Sequence, residues 1–102
     1  MTLPEIALTV PVGGPSRPLV VLGHSLGTGP LIWERVVTEL AAHYRVTLLS
    51  LPGHDAAPVP TEPFTIEELA DAVAAAVQDL AGGPALYAGV SIGGALGLAL
   101  AL

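Results

Sequence analysis

Three short, mostly apolar runs do most to limit what this chain can become: Pro18–Leu22 (PLVVL), Arg45–Leu51 (RVTLLSL) and Ala85–Val90 (ALYAGV). Each is too short for an ordinary helix, and runs of this kind suit strands buried on both faces of a sheet. The segments between them are long enough for helices. Pro30–His43 places Trp33, Val36, Val37, Leu40 and Ala41 on one face and Glu34, Arg35, Thr38 and Glu39 on the other, which predicts an amphipathic helix. Thr65 followed by Glu68 forms a capping box, and Ile66, Leu69, Ala70, Val73, Val77 and Leu80 make the apolar stripe of a second helix that Gly82-Gly83 ends. Pro52–Pro63, with Pro58, Pro60 and Gly53 inside it, reads as a loop. Glu5–Val12 is a further strand closed by Gly13-Gly14-Pro15, and the residues from Ile92 onward are helical in tendency. Strand and helix in alternation predict an α/β fold with a mostly parallel sheet and helices on both faces. The third helix runs to Ala-Leu-Ala-Leu without a helix-stop residue, so the expectation is an incomplete domain: residues 1–102 as the N-terminal part of a single α/β unit.

Charge narrows the partners. Nine acidic residues stand against three arginines, a formal charge of −6, which disfavours nucleic acid and anionic membrane surfaces. Only 12% of residues are charged and 52% are hydrophobic, against about 25% charged in an ordinary domain, so much of this chain expects to be covered. With no cysteine there is no disulfide, thiolate nucleophile or zinc–thiolate site, and no His or carboxylate grouping has metal-ligand spacing. No Gly-x-Gly-x-x-Gly follows a strand, so no cofactor is expected. Residues 81–102 carry no charge and are long enough to span a bilayer, but their glycines, Pro84 and Ser91 favour strand, turn and helix. The N-terminus lacks a basic region before its apolar residues, so a cytoplasmic location is the expectation.

Gly89-Val90-Ser91-Ile92-Gly93-Gly94 carries the chemistry. It matches Gly-x-Ser-x-Gly between a strand and a helix, the context in which a serine is presented as a nucleophile on a strained turn. A Cβ two residues to either side would crowd that turn, and Gly89 and Gly93 remove it. The helix starting at the serine directs free N–H groups at a developing oxyanion, with Ile92 N–H the expected donor. Gly23-His24-Ser25-Leu26-Gly27-Thr28 also links a buried strand to a helix, where Leu26 N–H would be the second donor.

These motifs resemble the α/β-hydrolase family. The resemblance extends over nearly the whole chain: the HSLGT loop with Trp33 shortly after, Leu51-Pro52-Gly53-His54, Phe64-Thr65-Ile66-Glu67-Glu68-Leu69 opening a helix, and the Ser91 turn. In detail it is similar to the 3-oxoadipate enol-lactonases. The resemblance implies a serine hydrolase acting on a small-molecule ester or lactone, with Ser91 as nucleophile and Leu26 and Ile92 as backbone oxyanion donors. Asp55 stands where related sequences usually have glycine, and Ser25 where a glycine commonly follows His24.

The family orders its triad serine, acid, histidine, yet no Asp, Glu or His follows Ser91. Upstream, His24 is read as orienting its loop, His54 as structural, His43 as a helix-end residue and Asp55 as a solvated loop charge. Residues 1–102 alone are therefore expected to be nearly inert. An inactive remnant or a ligand-binding fragment stays open as an alternative reading.

Overall fold

The computed structural model describes residues 3–81 and 83–102. Its element order is β1 (Ala7–Leu8), β2 (Leu19–Gly23), a 3₁₀ turn (Pro30–Trp33), α1 (Glu34–Leu40), β3 (Arg45–Ser50), α2 (Ile66–Ala81), β4 (Leu86–Gly89) and α3 (Ile92–Ala101). The strands form one sheet in the order β1-β3-β2-β4. β2 lies parallel to both β3 and β4, and β1 runs antiparallel to β3.

β2 has the two-faced character read from its residues. Leu19 and Val21 pack with Leu49, Leu51, Leu69, Val73 and Leu96, beneath α2 and α3. Val20 and Leu22 pack with Val46 on the other face, against Trp33, Val37 and Leu40. Alternate residues of one strand thus reach two separate cores. α2 begins at the expected capping box: Thr65 N–H donates to Glu68 Oε1 (2.9 Å) and Glu68 N–H to Thr65 Oγ1 (3.1 Å). Leu69 and Val73 of its apolar stripe are fully buried. The expected stop at Gly82 lies outside the described residues.

Three expectations are corrected. The strand foreseen over residues 5–12 is only two residues long, with an isolated bridge from Val12 to Val46. Beyond Leu8 one more backbone bond forms, from Thr9 N–H to Leu48 O (3.0 Å), and side-chain bonds take the other places: Leu48 N–H donates to Thr9 Oγ1 (2.9 Å) and Thr47 Oγ1–H to Thr9 O (2.7 Å). Pro11 then has no N–H to continue it. The helix foreseen over Pro30–His43 starts as a 3₁₀ turn and keeps α geometry only over Glu34–Leu40. Its end is set by the sheet, where Arg45 N–H already donates to Pro18 O (2.9 Å). Val36 is 38% exposed, so the buried stripe is narrower than its pattern suggests. Finally, the strand foreseen over residues 85–90 spans only Leu86–Gly89 and is largely exposed, with Leu86 52% and the following Val90 43% exposed.

The described residues 83–102 include a short strand, a turn and the ten-residue α3. No helix among the described residues is long and apolar enough to cross a membrane.

Candidate active site

Because β2, β3 and β4 are parallel, their carboxyl ends lie together, and the loops that leave them meet at one edge of the sheet. Gly23 pairs in register with both Leu49 and Gly89. The Gly23–Thr28 loop, the Leu51–His54 turn and the Ser91 turn therefore start side by side, in the position where open α/β sheets bind ligands.

Ser91 lies between β4 and α3 with φ 57° and ψ −121°. A positive φ in a residue with a side chain is strained, by roughly 1–3 kcal/mol. The surrounding backbone holds it. A Cβ at Gly93 would come within 2.5 Å of Gly23 O and 2.7 Å of His24 O, and one at Gly89 would overlap the Gly93 carbonyl. Glycine at both positions lets the turn, α3 and the end of β2 approach this closely. Ser91 is exposed, and its side chain makes no capping hydrogen bond. Its carbonyl accepts from Ala95 N–H (3.0 Å), which starts the helical ladder. Ile92 is the first residue of α3, so its N–H has no intrahelical acceptor.

On the neighbouring loop Leu26 is exposed, while His24 is fully buried. Both ring nitrogens of His24 are engaged. Nε2 accepts from Leu51 N–H (3.0 Å), so the proton sits on Nδ1, which donates to Ser25 O (2.8 Å). His54 repeats the arrangement: Nε2 accepts from Gly27 N–H (2.9 Å) and Nδ1–H donates to Pro52 O (3.0 Å). The two rings lie 5.0 Å apart, centroid to centroid. His43 is remote from both, in the turn that precedes the amino end of β3. Asp55 has φ 45° and is exposed, lining an open cleft with Thr28, Leu31 and Glu34.

Tyr87 was not anticipated as part of this region. Its hydroxyl donates to Gly93 O (2.8 Å), and burial pushes its pKa up to about 12. A Cβ on Gly23 would strike its phenol, and one on Gly97 would approach the ring to 2.9 Å. The sequence signal was there in Gly93 and Gly97, four apart on one helix and leaving a bare face for a ring.

The chain belongs to the α/β-hydrolase fold family, whose pattern residues 18–102 match. It is 30% identical to 3-oxoadipate enol-lactonase 2 of Acinetobacter baylyi across 100% of this chain and 39% of that enzyme. It is 39% identical to a pimeloyl-[acyl-carrier protein] methyl ester esterase of Neisseria meningitidis, over 80% of this chain and 25% of that one. Among solved structures, the enol-lactonase from Burkholderia xenovorans superposes with a TM-score of 0.83 at 32% identity, covering 94% of this chain and 37% of the other. The chain thus spans well under half the length of these relatives.

Proposed function

We infer that this protein is a serine hydrolase of carboxylic esters or lactones, of the 3-oxoadipate enol-lactonase kind, and that residues 1–102 are the N-terminal portion of its one domain. The observation that carries this reading is the strained, exposed Ser91 on a strand-to-helix turn wedged against the end of β2. In this mechanism Ser91 Oγ attacks the acyl carbon while its proton passes to a general base. The carbonyl electrons move onto the oxygen, where Leu26 and Ile92 N–H groups hold the negative charge. Collapse expels the alcohol, or opens the lactone, and leaves an acyl-enzyme that water cleaves.

The base and the acid that orients it are assigned to chain outside residues 1–102. His24 and His54 each engage both ring nitrogens in backbone hydrogen bonds, and His43 precedes the amino end of β3, away from Ser91. The similarity to an enol-lactonase and to a methyl ester esterase supports the ester and lactone class.

Hydrolysis of p-nitrophenyl acetate by the full gene product and its Ser91→Ala variant tests this. Loss of the nucleophile is expected to lower kcat on the order of 10⁶-fold, and residues 1–102 alone are expected to be nearly inert. Turnover that survives Ser91→Ala within tenfold would refute the nucleophile assignment. Ser91-dependent turnover at enzymatic rates by residues 1–102 alone would refute the placement of the base.

A further inference from the structure

The Ser25–Leu26 peptide is gripped from its carbonyl side. Three donors converge on Ser25 O: the Thr28 hydroxyl (2.7 Å), His24 Nδ1–H (2.8 Å) and Thr28 N–H (3.2 Å). With its proton engaged there, Thr28 Oγ1 is left to accept from the Ser25 hydroxyl (3.0 Å). His24 can donate from Nδ1 because Leu51 N–H, at the end of β3, occupies Nε2. The Gly27 N–H, which follows on the next peptide, is held by His54 Nε2, whose own ring is anchored on Pro52 O.

In a trans peptide the C=O and N–H point in opposite directions. Fixing Ser25 O therefore fixes the direction in which Leu26 N–H is offered. Donors on a carbonyl oxygen also polarise the amide, so that its N–H donates more strongly. The geometry points to His24, Thr28 and His54 as positioning residues that preset Leu26 N–H as an oxyanion donor, with the turn after β3 as their anchor. None of the three exchanges a proton with substrate. This inference rests on the serine-hydrolase reading above, and Ser25, in the place where a glycine is common, takes part through its hydroxyl.

Thr28 is exposed, so its substitution tests the hydrogen bond with little effect on the core. In the full gene product, Thr28→Val is expected to lower kcat about 5- to 10-fold with KM within twofold, the scale of one lost hydrogen bond. Affinity for an alkyl boronic acid, whose adduct on Ser91 is tetrahedral, should fall by the same factor. Thr28→Ser, which keeps the hydroxyl, should restore both. Should Thr28→Val fail to fold, His54→Gln against His54→Phe reads the same contrast, because the glutamine carbonyl can still accept from Gly27 N–H. A kcat and boronate affinity unchanged within twofold in Thr28→Val, or a Thr28→Ser variant as impaired as the valine, would overturn the inference. Ser91→Ala run alongside separates the failures: turnover that survives it overturns the serine reading itself, and this inference with it.

Discussion

β2 and β4 lie side by side in the sheet and are built from similarly apolar residues, yet they meet very different surroundings. Every residue of β2 is buried, none of Leu19–Leu22 exceeding 6% exposure. In β4 only Tyr87 is even partly covered. The register explains the difference. Leu86 and Ala88 pair with Val20 and Leu22, so they share the face that Trp33, Val37 and Leu40 cover over the middle strands, and that cover does not reach them. β2 also has a strand on each edge, whereas β4 is paired on one edge only among the described residues. The two halves are consequently held in different ways. Around β2 and β3 the cohesion comes from apolar area removed from water. Around β4 and the Ser91 turn the apolar contact is confined to the inner face, where Leu96 is buried, and backbone brought close to backbone supplements it.

Truncating one leucine on each side should expose this division most strongly. Leu49 is fully buried beneath α2 and α3, and Leu49→Ala is expected to destabilise by about 3–4 kcal/mol, from lost transfer free energy and the cavity left behind. Leu98, on α3, is 73% exposed, and Leu98→Ala is expected to change stability by less than about 0.5 kcal/mol. Urea unfolding followed by far-ultraviolet circular dichroism measures both. A Leu98→Ala loss comparable with that of Leu49→Ala would erase the distinction.

The same half that tolerates a lost leucine should not tolerate a gained methyl. At Gly89 an added Cβ would overlap the Gly93 carbonyl and lie 2.8 Å from Gly94 N, rigid backbone of the first turn of α3. Gly89→Ala is expected to destabilise by about 2–3 kcal/mol. Gly94→Ala is the control: its Cβ would meet Gly89 O at 3.3 Å, and the gain in helix propensity of up to about 1 kcal/mol offsets that tightness. Equal losses at the two positions would show that methyl groups are resisted throughout the region and that the turn has no special closeness at Gly89.

What could be read in the residues divides along similar lines. The parallel strands were legible in PLVVL and RVTLLSL, because apolar runs of that length have few other stable uses. The capping box at Thr65 was legible because its partners are three residues apart. The Ser91 turn was legible because glycines flank it at a fixed spacing. Less visible were properties that depend on distant neighbours. ALYAGV is as apolar as PLVVL, and no local pattern says that its outer face lacks cover. A loop-orienting role for His24 and a structural one for His54 follow from their motifs, but their partners Leu51 and Gly27 are each 27 residues away. Thr28 and Tyr87 went unmarked, since a hydroxyl declares its acceptor only once the chain has folded. The shortness of β1 was hidden similarly, because Thr9 meets Leu48 N–H with its hydroxyl and Thr47 Oγ1–H with its carbonyl.

Tyr87 is where the two halves are stitched together, and removing its hydroxyl is expected to cost less than either Leu49→Ala or Gly89→Ala. The ring lies against Gly23 of β2 and Gly97 of α3, and the hydroxyl donates to Gly93 O. Tyr87→Phe keeps the ring and is expected to destabilise by about 1 kcal/mol at neutral pH. Alkaline titration sharpens the test. Burial raises the phenol from its ordinary 10.0 to about 12, so the folded state favours the neutral, donating form. Its contribution is fully present below pH 10. Between pH 10 and 12 the unfolded chain has released this proton and the folded chain has not, so stability falls as pH rises through that window. The parent protein should lose stability more steeply there than Tyr87→Phe does, as read from urea midpoints at pH 9, 10, 11 and 12. Parallel curves would mean that the phenol is as free to ionise in the fold as outside it, and that the stitch is made by the ring alone.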